Sequence, residues 1–275
     1  MSGGNDTVMT ADLGRKIRDM CREWGIDIVG FARADAWEDP PFQPWPPHEF
    51  RPKAIFPECG SVIVLGLPVT LPILETAPSI WYQELYRNLN EQLDERAYQL
   101  STALNRMGFA SAYVPRDGYG SVEVLVKNPY AFFSHRHAAY LAGLGTFGLN
   151  NTLLTKEYGP RVRFVSIFTT AELPSDGPMD KQLCVRCLRC IKACPVQAIG
   201  NVDYPEASID KERCSMRSLE LKRKYRSPCG ICIKVCPVGE DRKLYGRKDM
   251  GLYDGPEKDE ERYKAWEHVR RYGSL

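Results

Sequence analysis

Apolar residues recur at helical spacing along three segments of the chain. Residues 11–24 carry four apolar side chains on one face and are followed by Gly25, so they predict an amphipathic helix. Residues 79–107 predict a longer helix whose leucine stripe belongs to a core. Residues 135–144 predict a shorter helix in the second half of the chain.

Shorter runs of β-branched and apolar residues predict strands, at residues 27–31, 61–67, 110–114, 121–126 and 162–169. Because strands alternate with helices before residue 175, the pattern predicts an α/β layer structure. Cys21 and Cys59 lie within this apolar pattern, which indicates packed thiols. Prolines interrupt the pattern between residues 37 and 53 and predict an irregular loop, either packed on the surface or acting as a lid.

The strongest chemical pattern lies between Cys184 and Cys236. It opens with C-x2-C-x2-C-x3-C-P, which is the spacing of bacterial ferredoxins, and closes with C-x2-C-x3-C-P. The distant Cys214 supplies the cysteine that the second run lacks, so eight thiolates are available for two 4Fe-4S clusters. Zinc is the main alternative because paired C-x2-C units also build zinc sites, and disulfides are the less favoured alternative.

The ferredoxin spacing also predicts which cysteines share a cluster, because the cysteine before each proline ligates the other cluster. Cluster one is predicted to be held by Cys184, Cys187, Cys190 and Cys236. Cluster two is predicted to be held by Cys194, Cys214, Cys229 and Cys232.

The composition is that of an ordinary globular protein, with 43% hydrophobic and 26% charged residues in a chain of 275. No apolar run approaches the length of a membrane span, and the N-terminal residues lack the features of a secretory signal, so we expect a cytoplasmic protein without a membrane partner. Residues 1–180 carry 16 Lys and Arg against 21 Asp and Glu, whereas residues 181–275 carry 21 against 14. The basic cysteine-rich part suits an acidic electron donor or a nucleic acid, or simply compensates the charge of anionic clusters.

A glycine-rich stretch, Gly143-Leu-Gly-Thr-Phe-Gly148, has the G-x-G-x-x-G form of dinucleotide sites. A helical segment precedes it where a strand is required, and no acidic residue occurs between 165 and 171, so a Rossmann site is not favoured. The glycines predict either close approach of the backbone to a large cofactor or a tight packed turn.

Residues 142–150, 153–155, 158–163 and 168–170, followed by the two cysteine runs, resemble the cobalamin-dependent epoxyqueuosine reductases and reductive dehalogenases. The resemblance covers most of residues 12–240. It implies a nitroreductase-like α/β body followed by a bacterial-ferredoxin-like two-cluster module, with a base-off corrinoid held between them. It further implies that a low-potential donor such as ferredoxin or flavodoxin supplies single electrons through the clusters to cobalt. The substrate would be a small molecule or a modified nucleoside, and tRNA is a candidate partner.

The resemblance implies functional residues as well. Epoxyqueuosine reductases have an aspartate proton donor where this chain has Pro129 or Tyr130. The aspartate is therefore missing, and a side chain of another type must donate the proton. The candidates for the proton donor are Tyr130, His135, His137 and Asp117, each of which also has an ordinary structural interpretation. The candidate cofactor-binding residues are Gly143, Leu144, Gly145, Gly148, Asn150, Asn151, Leu153, Thr155, Arg161 and Ser215. Among these, the polar side chains would contact corrin amides, the nucleotide tail or a phosphate, or else serve turns and strand ends.

Three domains are predicted: a corrinoid- and substrate-binding body over residues 1–176, a cluster module over 177–240, and a tail over 241–275. Residues 257–271 in the tail predict a helix that packs back on the body. The predicted function is a cobalamin-dependent iron–sulfur reductase. A protein that transfers electrons to a partner enzyme and has no substrate of its own is the main alternative, and a flavin or nicotinamide oxidoreductase is the third.

Overall fold

The computed structural model describes residues 3–206 and 209–272. The start of the predicted body, at residues 1–2, and the end of the predicted tail, at residues 273–275, therefore lie outside the described residues. A four-stranded antiparallel sheet forms the centre, in the order β1-β2-β6-β3. Its strands are β1 (Ile28–Arg33), β2 (Ser61–Pro68), β3 (Ser111–Val114) and β6 (Val162–Thr169). A separate two-strand hairpin consists of β4 (Thr146–Phe147) and β5 (Leu153–Leu154).

Strand β2 lies in the middle of the sheet and is buried on both faces, as its continuous apolar run predicts. Ile63 and Leu65 point to the core under the helices that precede β1 and β3. Val62 and Val64 point to a second core on the opposite face. The alternation with a period of two residues therefore places helices and loops on both sides of the sheet, and the predicted α/β layer structure is confirmed.

Helices surround the sheet and extend through the cysteine-rich part and the tail. The helices of the body are α1 (Gly3–Glu23), α2 (Pro52–Ile55), α3 (Leu71–Leu74), α4 (Ile80–Arg106), α5 (Val122–Lys127) and α6 (His135–Leu141). Those that follow β6 are α7 (Arg189–Ala193), α8 (Lys211–Lys222), α9 (Ile231–Lys234), α10 (Asp241–Leu244) and α11 (Glu260–Arg271). Short 3-10 helices lie at Ala34–Trp37, His48–Phe50, Met250–Tyr253 and Pro256–Lys258. Among the described residues, no helix is long and apolar enough to cross a membrane.

One predicted strand, over residues 121–126, is wrong, because Ser121 caps helix α5 and residues 122–126 belong to that helix. Ser121 adopts an extended conformation, and its hydroxyl accepts a hydrogen bond from the Val124 amide at 3.3 Å, which is the geometry of a helix N-cap. A short apolar run does not distinguish a strand from a helix by periodicity alone. Ser121 is the sequence feature that favours a helix over a strand in this segment, because serine is preferred at helix N-caps.

The proline-rich segment is a packed surface loop. Trp37 and Trp45 are both buried, and Phe42 makes edge-on contacts with Trp45 and with Tyr140 at ring-centroid distances of 5.0 and 5.4 Å. The aromatic residues between the prolines therefore supply the second core with side chains.

Candidate iron–sulfur and substrate site

The first group of cysteines surrounds one small cavity. The lining thiols are those of Cys184, Cys187, Cys190 and Cys236. Residues Arg186 and Leu188 between them have positive φ angles of 49° and 59°, so the C-x2-C loops bend tightly around this cavity. The β4–β5 hairpin closes the cavity from the body side, with Gly148, Leu149, Asn150 and Leu154. These four cysteines are the set that the spacing predicts for cluster one.

In the second group the thiol-bearing Cys214 is exposed, and Cys194, Cys229 and Cys232 are half-buried. Cys229, Cys214, Cys190 and Cys194 lie near Cys232, and burial first and these neighbours second raise the pKa of the Cys232 thiol. The pKa of Cys214 rises to about 11 for the same two reasons, with Cys229 and Cys194 as the nearby thiols. A group of neighbouring thiols that resist ionisation suits a cationic metal centre, whose charge favours the thiolate form. The set predicted for cluster two is Cys194, Cys214, Cys229 and Cys232.

Within the described residues, no three His, Cys, Asp or Glu side chains are arranged to hold a single metal ion. A 4Fe-4S cluster is held by four cysteine thiolates that bind an extended group rather than one ion. The assignment of a cluster to each group therefore depends on the cysteine spacing and, for the first group, also on the cavity that its four cysteines line.

The glycine-rich stretch forms the tight packed turn and does not face open space. A side chain at Gly145 would overlap the carbonyl oxygen of Leu154 in the facing strand. Gly143 has a φ of +70°, and a Cβ there would lie 2.6 Å from the Gly177 carbonyl oxygen. The glycines thus allow two pieces of backbone to approach each other, which is the packing alternative of the sequence analysis.

An open cleft of about 580 Å³ lies at another place, beside the second cysteine group. Its lining combines cations, aromatic rings and amides, from Gln83, Tyr86, Arg87, Asn90, Arg116, Glu123, Lys222, Arg223, Tyr225 and Ser227. The cleft therefore lies between helix α4, the segment around α5, and the residues that lead from Cys214 to Cys229. Its volume is within the range of small-molecule sites.

A tyrosine pair on helix α4 connects the second cysteine group with this cleft. Tyr82 is buried against Gly230, where a Cβ would lie 2.6 Å from the Tyr82 ring. The Tyr82 and Tyr86 rings are 6.4 Å apart, and Tyr86 lines the cleft. Gly230 precedes Cys232 by two residues, so Tyr82 and Tyr86 lie between the second group and the cleft.

Comparisons with known proteins agree with this geometry. Residues 180–240 match the model of the 4Fe-4S dicluster domain. The tetrachloroethene reductive dehalogenase of Dehalobacter restrictus is 27% identical over 231 residues, which are 77% of this chain and 36% of the dehalogenase. An epoxyqueuosine reductase of Cyclobacterium marinum is 32% identical over 148 residues, which are 50% of this chain and 45% of that protein. The chain is homologous to these two groups of reductases. It spans about a third to a half of the length of these curated relatives.

Solved structures of both groups share the fold. A catabolic reductive dehalogenase in complex with 3-bromo-4-hydroxybenzoic acid superposes with a TM-score of 0.64 at 21% identity, covering 89% of this chain and 36% of that chain. The epoxyqueuosine reductase from Streptococcus thermophilus gives a TM-score of 0.55 at 20% identity, covering 81% and 65%. The nitroreductase-like body with a ferredoxin-like cluster module is thus the fold of this chain, as its resemblance to these reductases implies.

Two histidines of this reductase homologue are unsuited to donate a proton. His135 Nε2 lies 3.0 Å from the Pro115 carbonyl, to which it donates, and Nδ1 lies 2.8 Å from the Ser166 hydroxyl. Burial lowers the pKa of His135 to about 4. His137 is held between Ser134 and Tyr204, and burial lowers its pKa to about 3. Both rings are therefore neutral at pH 7 and serve as packed hydrogen-bonding groups.

The other two proton-donor candidates have different positions. Tyr130 is 53% exposed, is not among the residues that line the cleft, and lies under the Lys211 ammonium, 3.9 Å from the ring centre. Asp117 lies directly behind the cleft, where its carboxylate accepts from Asn90 Nδ2 at 3.1 Å and from Arg163 at 3.0 Å. Among the proton-donor candidates from the sequence, Asp117 is therefore the one that is hydrogen-bonded to Asn90, which lines the cleft.

Several predicted cofactor-binding residues use their polar groups inside the protein. Arg161 is fully buried, and its guanidinium donates to both carboxylate oxygens of Asp241, at 2.7 and 2.6 Å. The Thr155 hydroxyl accepts from the Tyr158 amide, and the Ser215 hydroxyl donates to the Lys211 carbonyl. The prediction that Arg161 binds a phosphate is wrong, because its donors are already bonded.

The hairpin residues are also internal. Leu153 is buried in the second core, and Leu144 packs beside Gly30. Asn151 has a φ of 55°, and its carbonyl accepts from Arg136. Asn150 differs from the rest, because its Nδ2 group is buried without a hydrogen-bond partner at the cavity of the first cysteine group.

The residues of helix α4 that line the cleft were not predicted from the sequence. Tyr82, Tyr86 and Asn90 recur at every fourth position of helix α4, next to the leucine stripe that was assigned to the core. A stripe of aromatic and amide residues at this spacing was the available signal. The nearby basic run at 222–226 contributes Lys222 and Arg223 to the same cleft.

Proposed function

We propose that the chain is a cytoplasmic iron–sulfur oxidoreductase in which two 4Fe-4S clusters deliver single electrons to a corrinoid. The reaction reduces a small molecule or a modified nucleoside. The observation that supports this most directly is the arrangement of the cysteines. One group surrounds a small cavity, and the other lies near an open cleft, in a chain homologous to reductases. We also propose the division into a body, a cluster module over 177–240 and a tail.

Electrons enter at cluster one in this proposal. Cys187 is exposed, and Val185 beside it is 65% exposed, so a donor protein can approach this cluster closely. The excess of Lys and Arg over residues 181–275 favours an acidic donor such as ferredoxin or flavodoxin. Cluster two then passes electrons towards the cleft through the region of Tyr82 and Tyr86.

The cleft suits a corrinoid in its chemistry and its openness. Gln83 and Ser227 offer hydrogen-bonding groups, and Arg87 and Arg223 offer positive charge for amide carbonyls and a phosphate. The amide of Asn90 is already bonded to Asp117 and Arg163. The cleft opens to solvent, so a ligand larger than its volume extends out of it. A bound corrinoid supplies a metal centre that accepts one electron at a time, whereas the protein positions it and excludes competing reactions.

Tyr86 is the proton donor that this geometry favours. It lines the cleft, and the Arg163 guanidinium lies 4.4 Å from the centre of its ring. Burial raises the pKa of Tyr86, so the phenol keeps its proton at neutral pH. Arg163 acts in the opposite direction and would stabilise the phenolate that remains after proton transfer. Asn90 and Tyr119 are hydrogen-bonding neighbours of the same hydroxyl.

Substituting Tyr86→Phe removes the proton and keeps the ring. We expect turnover of the loaded enzyme to fall by about 10²- to 10⁴-fold, the usual contribution of a general acid. Tetrachloroethene and an epoxyqueuosine-modified tRNA stem loop are suitable probes, with a chemical reductant under anaerobic conditions. Tyr98→Phe, on the exposed side of the same helix, is the matched control and should leave turnover unchanged. Full activity of Tyr86→Phe would exclude this role.

Anaerobic purification in the presence of cobalamin tests the cofactors. The proposal predicts about eight iron and eight sulfide atoms per chain, together with bound cobalt. Protein that contains flavin and no cobalt would favour a flavin oxidoreductase instead.

The missing aspartate at the Pro129 position supports a second function, that of an electron-transfer protein which reduces the corrinoid of a partner enzyme. Such a protein would hold both clusters and reduce added cobalamin. It would show no turnover of either probe, which distinguishes it from the reductase.

A further inference from the structure

We propose that the side-chain amide of Asn150 donates a hydrogen bond to a sulfur of cluster one and raises the reduction potential of that cluster. This inference rests on the proposed binding of a 4Fe-4S cluster by the first cysteine group. It assigns to Asn150 a role in tuning the entry point of electrons, which differs from the contact with a corrinoid that the sequence indicates.

The position of Asn150 places its side chain at the first cysteine group. Its side chain is 3% exposed, and the residue lines the same cavity as Cys184, Cys187, Cys190 and Cys236. Asn150 reaches this cavity from the tip of the β4–β5 hairpin, whose register is set by the close packing of Gly145 on Leu154.

Hydrogen bonds to the oxygen of the side chain determine which way the amide points. Asn150 Oδ1 accepts from the Thr152 hydroxyl at 2.8 Å and from the Thr152 backbone amide at 3.3 Å. Because a backbone N–H can only donate, the oxygen must face Thr152 and the NH₂ group must face away from it. Asn150 Nδ2 then has no partner among the described residues.

A buried N–H group without a partner is unfavourable, and native proteins rarely leave one. The sulfurs of a bound cluster would supply the missing acceptors at this place. The reduced cluster carries one more negative charge than the oxidised cluster, so it accepts the hydrogen bond more strongly. Hydrogen bonds to sulfur are among the factors that set cluster potentials, and this one would favour the reduced state.

The test is a redox titration of the anaerobic holoprotein, followed by electron paramagnetic resonance. A Cys187→Ser variant identifies the signal of cluster one, because only that signal should change. In Asn150→Ala we expect the oxidised form of cluster one to be favoured about tenfold, which lowers its midpoint by about 59 mV for a one-electron couple. The midpoint of cluster two should stay at the wild-type value.

Two further variants separate tuning from folding. Asn150→Asp keeps an oxygen for Thr152 but replaces the donor by a second oxygen, so it should lower the midpoint at least as much as Asn150→Ala. Thr152→Val removes the hydroxyl bond on the other side of the amide and leaves Nδ2 in place, so the midpoint should remain unchanged.

Unchanged cluster-one midpoints in Asn150→Ala and Asn150→Asp would overturn the inference, and so would an equal decrease in Thr152→Val. Wild-type protein without two clusters would instead overturn the proposed function, so the two failures are distinguishable.

Discussion

Individual polar residues in this protein serve the fold more often than their chemical type suggests. His137 was a candidate proton donor and Arg161 a candidate cofactor contact, yet their partners are Tyr204 and Asp241, which are 67 and 80 positions away along the chain. Sequence spacing cannot show such partners, because the contacts form only when distant elements pack together. Asn90 and Tyr86 were missed for the opposite reason, since they lie beside a helix stripe that packs in a core.

The neutral state of His137 predicts a pH dependence of stability. Burial lowers its folded pKa from 6.5 to about 3, and the nearby charges of Arg136 and Lys211 act in the same direction. Below about pH 6.5 the unfolded chain therefore binds a proton that the folded chain does not, and stability falls as the pH decreases. The contribution is about 1.4 kcal/mol per pH unit between pH 6 and 5. Urea unfolding at several pH values measures this slope.

A His137→Gln variant keeps a polar side chain that does not titrate in this range, so its stability should fall less between pH 6.5 and 5 than that of the wild type. His268 is exposed on helix α11, and His268→Gln is the control that should retain the wild-type slope. Identical slopes in all three proteins would contradict the assignment.

At the level of elements, local patterns predicted the fold well where one signal dominates. The strands over 61–67 and 162–169 and the helix over 79–107 were confirmed to within about a residue, because long periodic runs determine them. The cysteine runs likewise specify short loops. The packed turn of the glycine hairpin was one of two alternatives, and helix α5 was not predicted, because a backbone-to-backbone contact and a single capping serine decide these two segments.

The hairpin makes Gly145 a sensitive position. We expect Gly145→Ala to destabilise the protein by an amount at the upper end of the usual range for overpacking, about 1–3 kcal/mol, because its Cβ would overlap the Leu154 carbonyl. Cluster one should also lose occupancy, since the hairpin closes its cavity. Thermal unfolding and iron content measure the two effects. Gly200→Ala is the control, because no atom lies within 4 Å of a Cβ at Gly200; equal stability of the two variants would be inconsistent with this account.

At the level of the whole molecule, buried charges join the cluster module and the tail to the body. Arg161, at the start of β6, bonds to Asp241 and to the carbonyls of Cys236 and Val238, at 3.2 and 2.6 Å. The Lys234 ammonium donates to the Ala77 carbonyl at 2.8 Å. In the tail, Trp266 of α11 is buried, and the Arg270 guanidinium donates to the carbonyls of Glu75 and Thr76 in the body.

Removing Arg161 should therefore loosen this junction. We expect Arg161→Leu to destabilise the protein by about 3–5 kcal/mol, because Asp241 would remain as a buried, unpaired charge. Chemical unfolding measures the loss. Lys264→Ala breaks the exposed pair of Lys264 with Glu260 and should change the stability by less than about 1 kcal/mol. The double variant Arg161→Leu with Asp241→Leu should lose less than the sum of the two single variants, and strict additivity would argue against the pairing.

The exposure of one cysteine in each group has a consequence for handling the protein in air. Cys187 of the first group and Cys214 of the second are both exposed. Dioxygen can reach both of these ligands, so oxidative damage should begin at them. A briefly aerated sample would then lose iron from both cubanes.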